Sequence, residues 1–196
     1  LPKISELSEP IKSISKNTQE GLKSIDKDSP NPLNLFRVHW HNNNDHSGFN
    51  EYPEHIVLPH EFTGVEAKII VNIGHLFPMI QAHKVLAAYA CLFPKLINGS
   101  FDYSKHKAIW PSTGNYCRGG VAISKILGCR SIAVLPEGMS EERFEWLNKW
   151  VMNPSDIIKT PGTESNVREI YETCKKLQSD DSNNIIINQF SEYNNY

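Results

Sequence analysis

Apolar residues cluster in the second half of this chain with two alternating periods. Ala108-Ile109-Trp110 is a short apolar run, and Ser131 to Leu135 is β-branched and apolar throughout, as in a strand buried on both faces. Between them Val121, Ala122, Ile123, Ile126 and Leu127 recur at helical spacing, and Gly128 stands where a left-handed C-cap belongs. Further on, Phe144, Leu147, Trp150 and Val151 form one helix face behind Ser140, a capping residue followed by Glu141 and Glu142. Val167, Ile170, Tyr171, Cys174 and Leu177 form another, opened by Asn166 and Glu169. Ile157-Ile158-Lys159 and Ile185-Ile186-Ile187 read as two more strands. Four strands alternating with three helices predict an α/β fold, an open parallel sheet with right-handed crossovers and helices on both faces.

The first half is patterned less regularly. Residues 1–30 are rich in Ser, Lys and Glu; Leu1, Ile4, Leu7, Ile11 and Ile14 give a helical period that Pro10 interrupts. This stretch reads as an extension that packs on something else or stays mobile. Residues 31–61 read as loop, with three prolines and an Asn42-Asn43-Asn44-Asp45 run. Ala67–Ile73 reads as a strand, and Gly74 to Pro78 breaks it. A helix is predicted from about Met79 to Phe93, ended by Pro94, with Asn98-Gly99-Ser100 as a turn. The division expected is a loop-rich segment over 1–60, belonging to a larger domain, and an α/β domain over 61–196.

Composition narrows the function classes. With 196 residues, 39% hydrophobic and 21% charged, the chain can bury a sizeable core. A net charge of −2 gives no electrostatic case for nucleic acid or for an anionic membrane. No apolar run approaches the roughly 18 residues of a membrane span, and no signal-peptide pattern opens the chain, so a cytoplasmic location is expected. Cys91, Cys117, Cys129 and Cys174 show no paired spacing, which predicts reduced thiols and no metal site. His39, His41, His46, His55 and His60 match no ligand spacing and read as surface and loop histidines. The chain opens on Leu1 and closes at Tyr196 directly after a strand pattern, so a fragment of something longer is expected.

The chemistry concentrates where the first parallel strand meets its helix. Ser112-Thr113-Gly114-Asn115 offers two hydroxyls, a carboxamide and backbone N–H groups at a helix N-terminus, a place suited to a carboxylate or phosphate. It is neither a P-loop, since no Lys-Ser/Thr follows Gly119, nor a nucleophile elbow, nor a dinucleotide turn. Cys117, just inside the helix, reads as a small packing residue. Lys84, near the start of the preceding helix, reads from spacing alone as a surface lysine.

Taken in order, Lys84, then Ser112-Thr113-Gly114-Asn115, then a helix ending Leu127-Gly128, then Ala133-Val134-Leu135-Pro136-Glu137-Gly138, Thr160-Pro161-Gly162 and Asn188-Gln189-Phe190 resemble the fold-type II pyridoxal-phosphate enzymes. That group holds cysteine synthase and the tryptophan synthase β-subunit, and the cysteine synthase branch is the nearer. The resemblance runs from about Phe77 to Tyr196. It implies that Lys84 carries pyridoxal 5'-phosphate and is the catalytic lysine, and that Asn115 binds the cofactor's ring hydroxyl oxygen. It implies that Ser112, Thr113, the backbone of Gly114 to Tyr116, and Gln189 hold the carboxylate of a small amino-acid substrate, in a homodimer. The reaction implied is β-elimination or β-replacement, with a serine or threonine deaminase of the same fold as one alternative and a non-catalytic remnant or interaction domain as another. The chain departs from the family pattern at His83, before the lysine, and at Tyr116. The family's Gly-rich phosphate loop follows the Gln-Phe strand end, and no such segment occurs before Tyr196. The expectation is that residues 1–196 alone bind the cofactor weakly or not at all.

Overall fold

A computed structural model describes residues 1–192; residues 193–196, the end of the predicted α/β domain and of the family resemblance, lie outside the described residues. The chain divides into two compact units, Leu1–His83 and Lys84–Tyr196.

The first unit is built from short pieces: α1 (Ile4–Ser8), α2 (Pro10–Ser13), α3 (Lys16–Leu22), a 3₁₀ turn (Pro32–Arg37), β1 (His55–Leu58), α4 (His60–Thr63) and β2 (Ile69–Asn72). Pro10 opens α2, where its missing N–H costs nothing. Residues 1–30 are tied down: Leu7, Ile14 and Leu22 are buried. Arg37, itself buried, donates to the carbonyls of Leu22, Ile25 and His46 and to Asn34 Oδ1 at 2.7–2.9 Å. A guanidinium has donors enough to gather these four acceptors, three of them backbone carbonyls, so one side chain organises an irregular segment.

Three readings are corrected in this unit. The predicted strand at 67–73 is shorter, and it is no part of a parallel sheet. β2 pairs antiparallel with β1, Ile56 opposite Val71 and Val57 opposite Ile70, inside a stretch expected to be loop. Backbone pairing of two β-branched runs outweighs the flanking Pro53 and Pro59. His39 is no surface histidine: it is 1% exposed, its Nδ1 accepts the His41 N–H at 3.0 Å, and its ring meets Phe49 edge-on at 4.6 Å. Burial, with His41 adding repulsion, pushes its pKa down to about 3.

The lowered value has a consequence for stability. The unfolded chain takes up this proton near pH 6.5, the folded chain only near pH 3. Stability is therefore full above pH 6.5 and falls as the pH drops towards 3, by at most about 1.4 kcal/mol per pH unit for one proton. Urea unfolding at pH 7 and pH 5 is expected to show a smaller acid loss in His39→Gln than in the unaltered chain. Equal losses would show that His39 titrates normally.

The second unit matches its predicted pattern closely. It comprises α5 (Lys84–Ile97), β3 (Lys107–Pro111), α6 (Asn115–Leu127), β4 (Ser131–Pro136), α7 (Glu141–Trp150), β5 (Ile157–Thr160), α8 (Val167–Asp180) and β6 (Asn184–Ile186). The sheet order is β5-β4-β3-β6, all parallel, with Ile109 opposite Ile132 on one side and Ile186 on the other. Neighbouring strand residues point to opposite faces. Ile109, Ile132 and Val134 form a core with Ile170 and Cys174 of α8. Trp110 turns the other way onto α6, donating from Nε1 to Ser124 Oγ at 3.0 Å. So α6 and α8 cover opposite faces, as expected of this fold class. Gly128 adopts φ 70° and closes α6, also as expected.

Three details differ from expectation. The helix predicted at 79–93 starts five residues later, because Met79 and Gln81 adopt positive φ (66° and 52°), which a right-handed helix excludes. It also runs through Pro94 to Ile97: fully buried Leu92 and half-buried Phe93 and Leu96 keep its apolar face in place, and Pro94 still accepts the Asn98 N–H at 3.0 Å. Ser140 does occupy the N-cap of α7, but its side chain makes no capping bond.

Candidate active site

β3 ends at Pro111, and the Ser112 N–H continues the parallel ladder to the Val134 carbonyl at 3.3 Å. The chain then turns at once into α6. The Ser112 hydroxyl accepts the Gly114 N–H at 3.1 Å, and the Thr113 carbonyl accepts from Arg143 Nη1 at 3.0 Å. The first helical bond runs from the Arg118 N–H to the Gly114 carbonyl. The N–H groups of Asn115, Tyr116 and Cys117 precede it and have no partner within the helix. They form the positive end of a 13-residue helix at the carboxyl edge of the sheet.

Gln189 reaches the same edge from β6, whose ladder ends with the Ile187 N–H on the Ile109 carbonyl at 2.9 Å. Ser112, Thr113 and Gln189 line a small cavity of about 50 Å³ together with Pro111, Val167, Ile170, Tyr171 and Phe190. Gln189 is buried, and its neighbour Asn188 is locked: Asn188 Oδ1 accepts from the Tyr171 hydroxyl at 2.9 Å and from the Phe190 N–H at 3.0 Å. Burial, with Cys174 nearby, raises the Tyr171 hydroxyl to about 12, so it remains a donor at neutral pH.

Lys84 is the first residue of α5. That helix packs tightly on α6 because Gly119 has no side chain: a Cβ there would lie 2.9 Å from both the Lys84 carbonyl oxygen and Val85 Cα. Gly119 is one turn along α6 from Asn115, so the close approach sets the start of α5 against the first turns of α6.

The fold therefore brings Ser112, Thr113 and Gln189 to one cavity, with Gly114 and Asn115 beside it at the helix start. Tyr116 behaves differently. Its side chain is 1% exposed, its hydroxyl donates to the Ile187 carbonyl at 3.3 Å, and its ring meets Trp110 edge-on. Only its backbone faces the turn, and burial together with Cys91 pushes its hydroxyl pKa upward. Cys117 is fully buried and its thiol is pushed up to about 12, first by burial, so the helix end does not activate it. Sequence reasoning missed Val167, Phe190 and Arg143 as neighbours of the turn. Val167 and Tyr171 fitted a helix core face, and nothing local marks Arg143 as reaching Thr113.

No family model matches the sequence, and no curated protein does. Solved structures match, and the architecture is the cysteine synthase-like α/β fold. An O-acetylserine-dependent cystathionine β-synthase from Helicobacter pylori superimposes with a TM-score of 0.61 at 18% identity, over 72% of this chain and 45% of that one. A hydrogen sulfide-producing enzyme from Fusobacterium nucleatum gives 0.58 at 19% identity, over 72% and 44%. Cysteine synthase from Entamoeba histolytica gives 0.57 at 19%, over 72% and 41%. The likeness is one of fold, and this chain spans less than half the length of each of these structures. No helix among the described residues is long and apolar enough to cross a membrane.

Proposed function

We propose that this chain is the cofactor-side part of a pyridoxal-phosphate enzyme that performs β-elimination or β-replacement on a small amino acid. The observation that carries the reading is the convergence of Ser112, Thr113 and Gln189 on one cavity beside the open N–H groups of α6, with Lys84 heading the helix packed against α6.

The donor set fits the ring end of the cofactor and a substrate carboxylate. A primary amine, a carboxamide, two hydroxyls and three helix N–H groups match an aldehyde, a ring oxygen and an anion. Lys84 Nζ would hold the cofactor and Asn115 its ring oxygen; no Gly-rich segment after Gln189 is present within residues 1–196 to hold the phosphate. What the cofactor supplies when bound is an electron sink for negative charge at the substrate Cα. The chain does the rest. The Thr113 hydroxyl, the Asn115 and Tyr116 N–H groups and the Gln189 carboxamide orient the carboxylate, which fixes the Cα–H bond relative to Lys84. Neutral Lys84 Nζ takes the Cα proton and later returns it to the departing β-substituent. Ile170, fully buried, gives the cavity an apolar inner wall.

Protein expressed from its complete gene and supplied with pyridoxal phosphate tests the reaction class. Cysteine with water is expected to yield sulfide, pyruvate and ammonia, or O-acetylserine with sulfide to yield cysteine and acetate. Ammonia and keto acid from serine or threonine alone would move the assignment to a deaminase. No turnover of any of these by folded, cofactor-loaded protein would contradict the proposal.

A further inference from the structure

Arg143 sits in the first turn of α7, thirty positions from the residue it holds. Its Nη1 donates to the Thr113 carbonyl at 3.0 Å, and a Cβ placed on Gly114 would come 3.9 Å from Nη2, so the guanidinium lies along the turn. The other end of that same peptide unit is also engaged, the Gly114 N–H on Ser112 Oγ at 3.1 Å. A planar trans peptide held at its carbonyl and its N–H cannot rotate about its long axis. Its orientation sets where the next N–H groups, those of Asn115, Tyr116 and Cys117, point.

We infer that Arg143 is a positioning residue: it clamps the Thr113–Gly114 peptide from α7 and so keeps the N-terminal N–H groups of α6 aimed at a bound carboxylate. The inference rests on the carboxylate reading of the turn given above. A second arginine supports it. Arg118 Nη1 lies 3.5 Å from Asn115 Oδ1, and its Nε is buried without a partner. Its guanidinium stacks 4.7 Å over the Trp146 ring. Two cations thus stand at one turn, and burial together with Arg143 makes the Arg118 charge harder to keep, with Glu142 offsetting only part of that. An anion bound at the turn would relieve that repulsion. The Arg143 bond is charge-assisted and partly buried, the setting in which a single hydrogen bond matters most.

The test is amide hydrogen exchange by NMR on the ligand-free full chain. In Arg143→Met, which keeps the side chain's bulk, the Gly114 amide, bonded to Ser112 Oγ, is expected to exchange about tenfold faster or more. The Ala133 and Val134 amides of β4 should stay within about twofold, and Arg143→Lys should recover most of the protection. Unchanged exchange at Gly114 in Arg143→Met overturns the inference. The unaltered chain gives a reading that needs no variant: a scalar coupling across the hydrogen bond between Arg143 Nη1 and the Thr113 carbonyl carbon. Its absence in folded protein overturns the inference as well. Acetate, titrated into the unaltered chain, probes the carboxylate reading separately. Acetate shifts at Asn115 and Tyr116 that weaken about tenfold in Arg143→Met support both. A chain that ignores acetate, yet loosens in Arg143→Met, removes the carboxylate reading and leaves the clamp.

Discussion

Gly120→Ala is expected to destabilise the protein by about 3 kcal/mol or more, a large effect for one methyl group. An added Cβ would lie 1.9 Å from Trp110 Cδ2 and 2.3 Å from Cε3, well inside any real contact. The indole has no room to withdraw. It is fully buried on β3, anchored through Nε1 to Ser124 one turn further along the same helix, and backed by Tyr116. Either α6 lifts from the sheet, breaking the Ser124 bond, or the ring leaves its rotamer. Both damage the seat of the Ser112–Asn115 turn. The cause can be isolated with Trp110→Val. In that background the clash is gone, and Ala at a helix interior is favoured over Gly by about 1 kcal/mol, so Gly120→Ala should become neutral or stabilising. Urea midpoints of the four proteins decide the matter. A cost that persists in the Trp110→Val background would mean that something other than the indole requires a glycine.

The second large effect concerns chemistry rather than stability. Lys84→Ala, in cofactor-loaded protein from the complete gene, is expected to lower turnover by about 10³-fold or more, since both the covalent attachment and the proton transfer at Cα use its amine. Lys84→Arg should be equally inactive, because a guanidinium does not deprotonate at accessible pH. Urea unfolding of both variants checks that the lost turnover is not a lost fold. An arginine variant that keeps substantial activity would remove Lys84 from the reaction.

How far the sequence reveals this molecule depends on the range of the forces at each place. β3 to β6 and α6 to α8 are legible because each buries a continuous β-branched run or a 3.6-residue stripe, and Gly128 marks a helix end by its own conformational freedom. The Ser112–Asn115 turn is legible for the same local reason, a strand end followed by small hydroxyl and amide residues. What stays hidden depends on distant partners. His39 is buried with its ring on Phe49, ten residues on, in a segment held by Arg37, whose acceptors lie up to fifteen residues back in the chain. The late start of α5 comes from positive φ at Met79 and Gln81, residues that carry no local signal for it. The antiparallel β1–β2 pair is masked by its flanking prolines. In the site itself, Ser112, Thr113 and Gln189 were readable from motifs, whereas Arg143 acts across thirty residues and the burial of the Tyr116 side chain follows from Trp110 and Ile187.

The central claim is that Lys84 is the residue on which a pyridoxal-phosphate site is built. The most direct test is borohydride reduction of the protein from its complete gene after incubation with pyridoxal phosphate, followed by peptide mass mapping. The account predicts a phosphopyridoxyl group on the peptide containing Lys84, in clear excess over every other lysine. Folded protein that carries no such group on Lys84, or carries it evenly over its surface lysines, would contradict the account and leave a protein that keeps the fold without the chemistry.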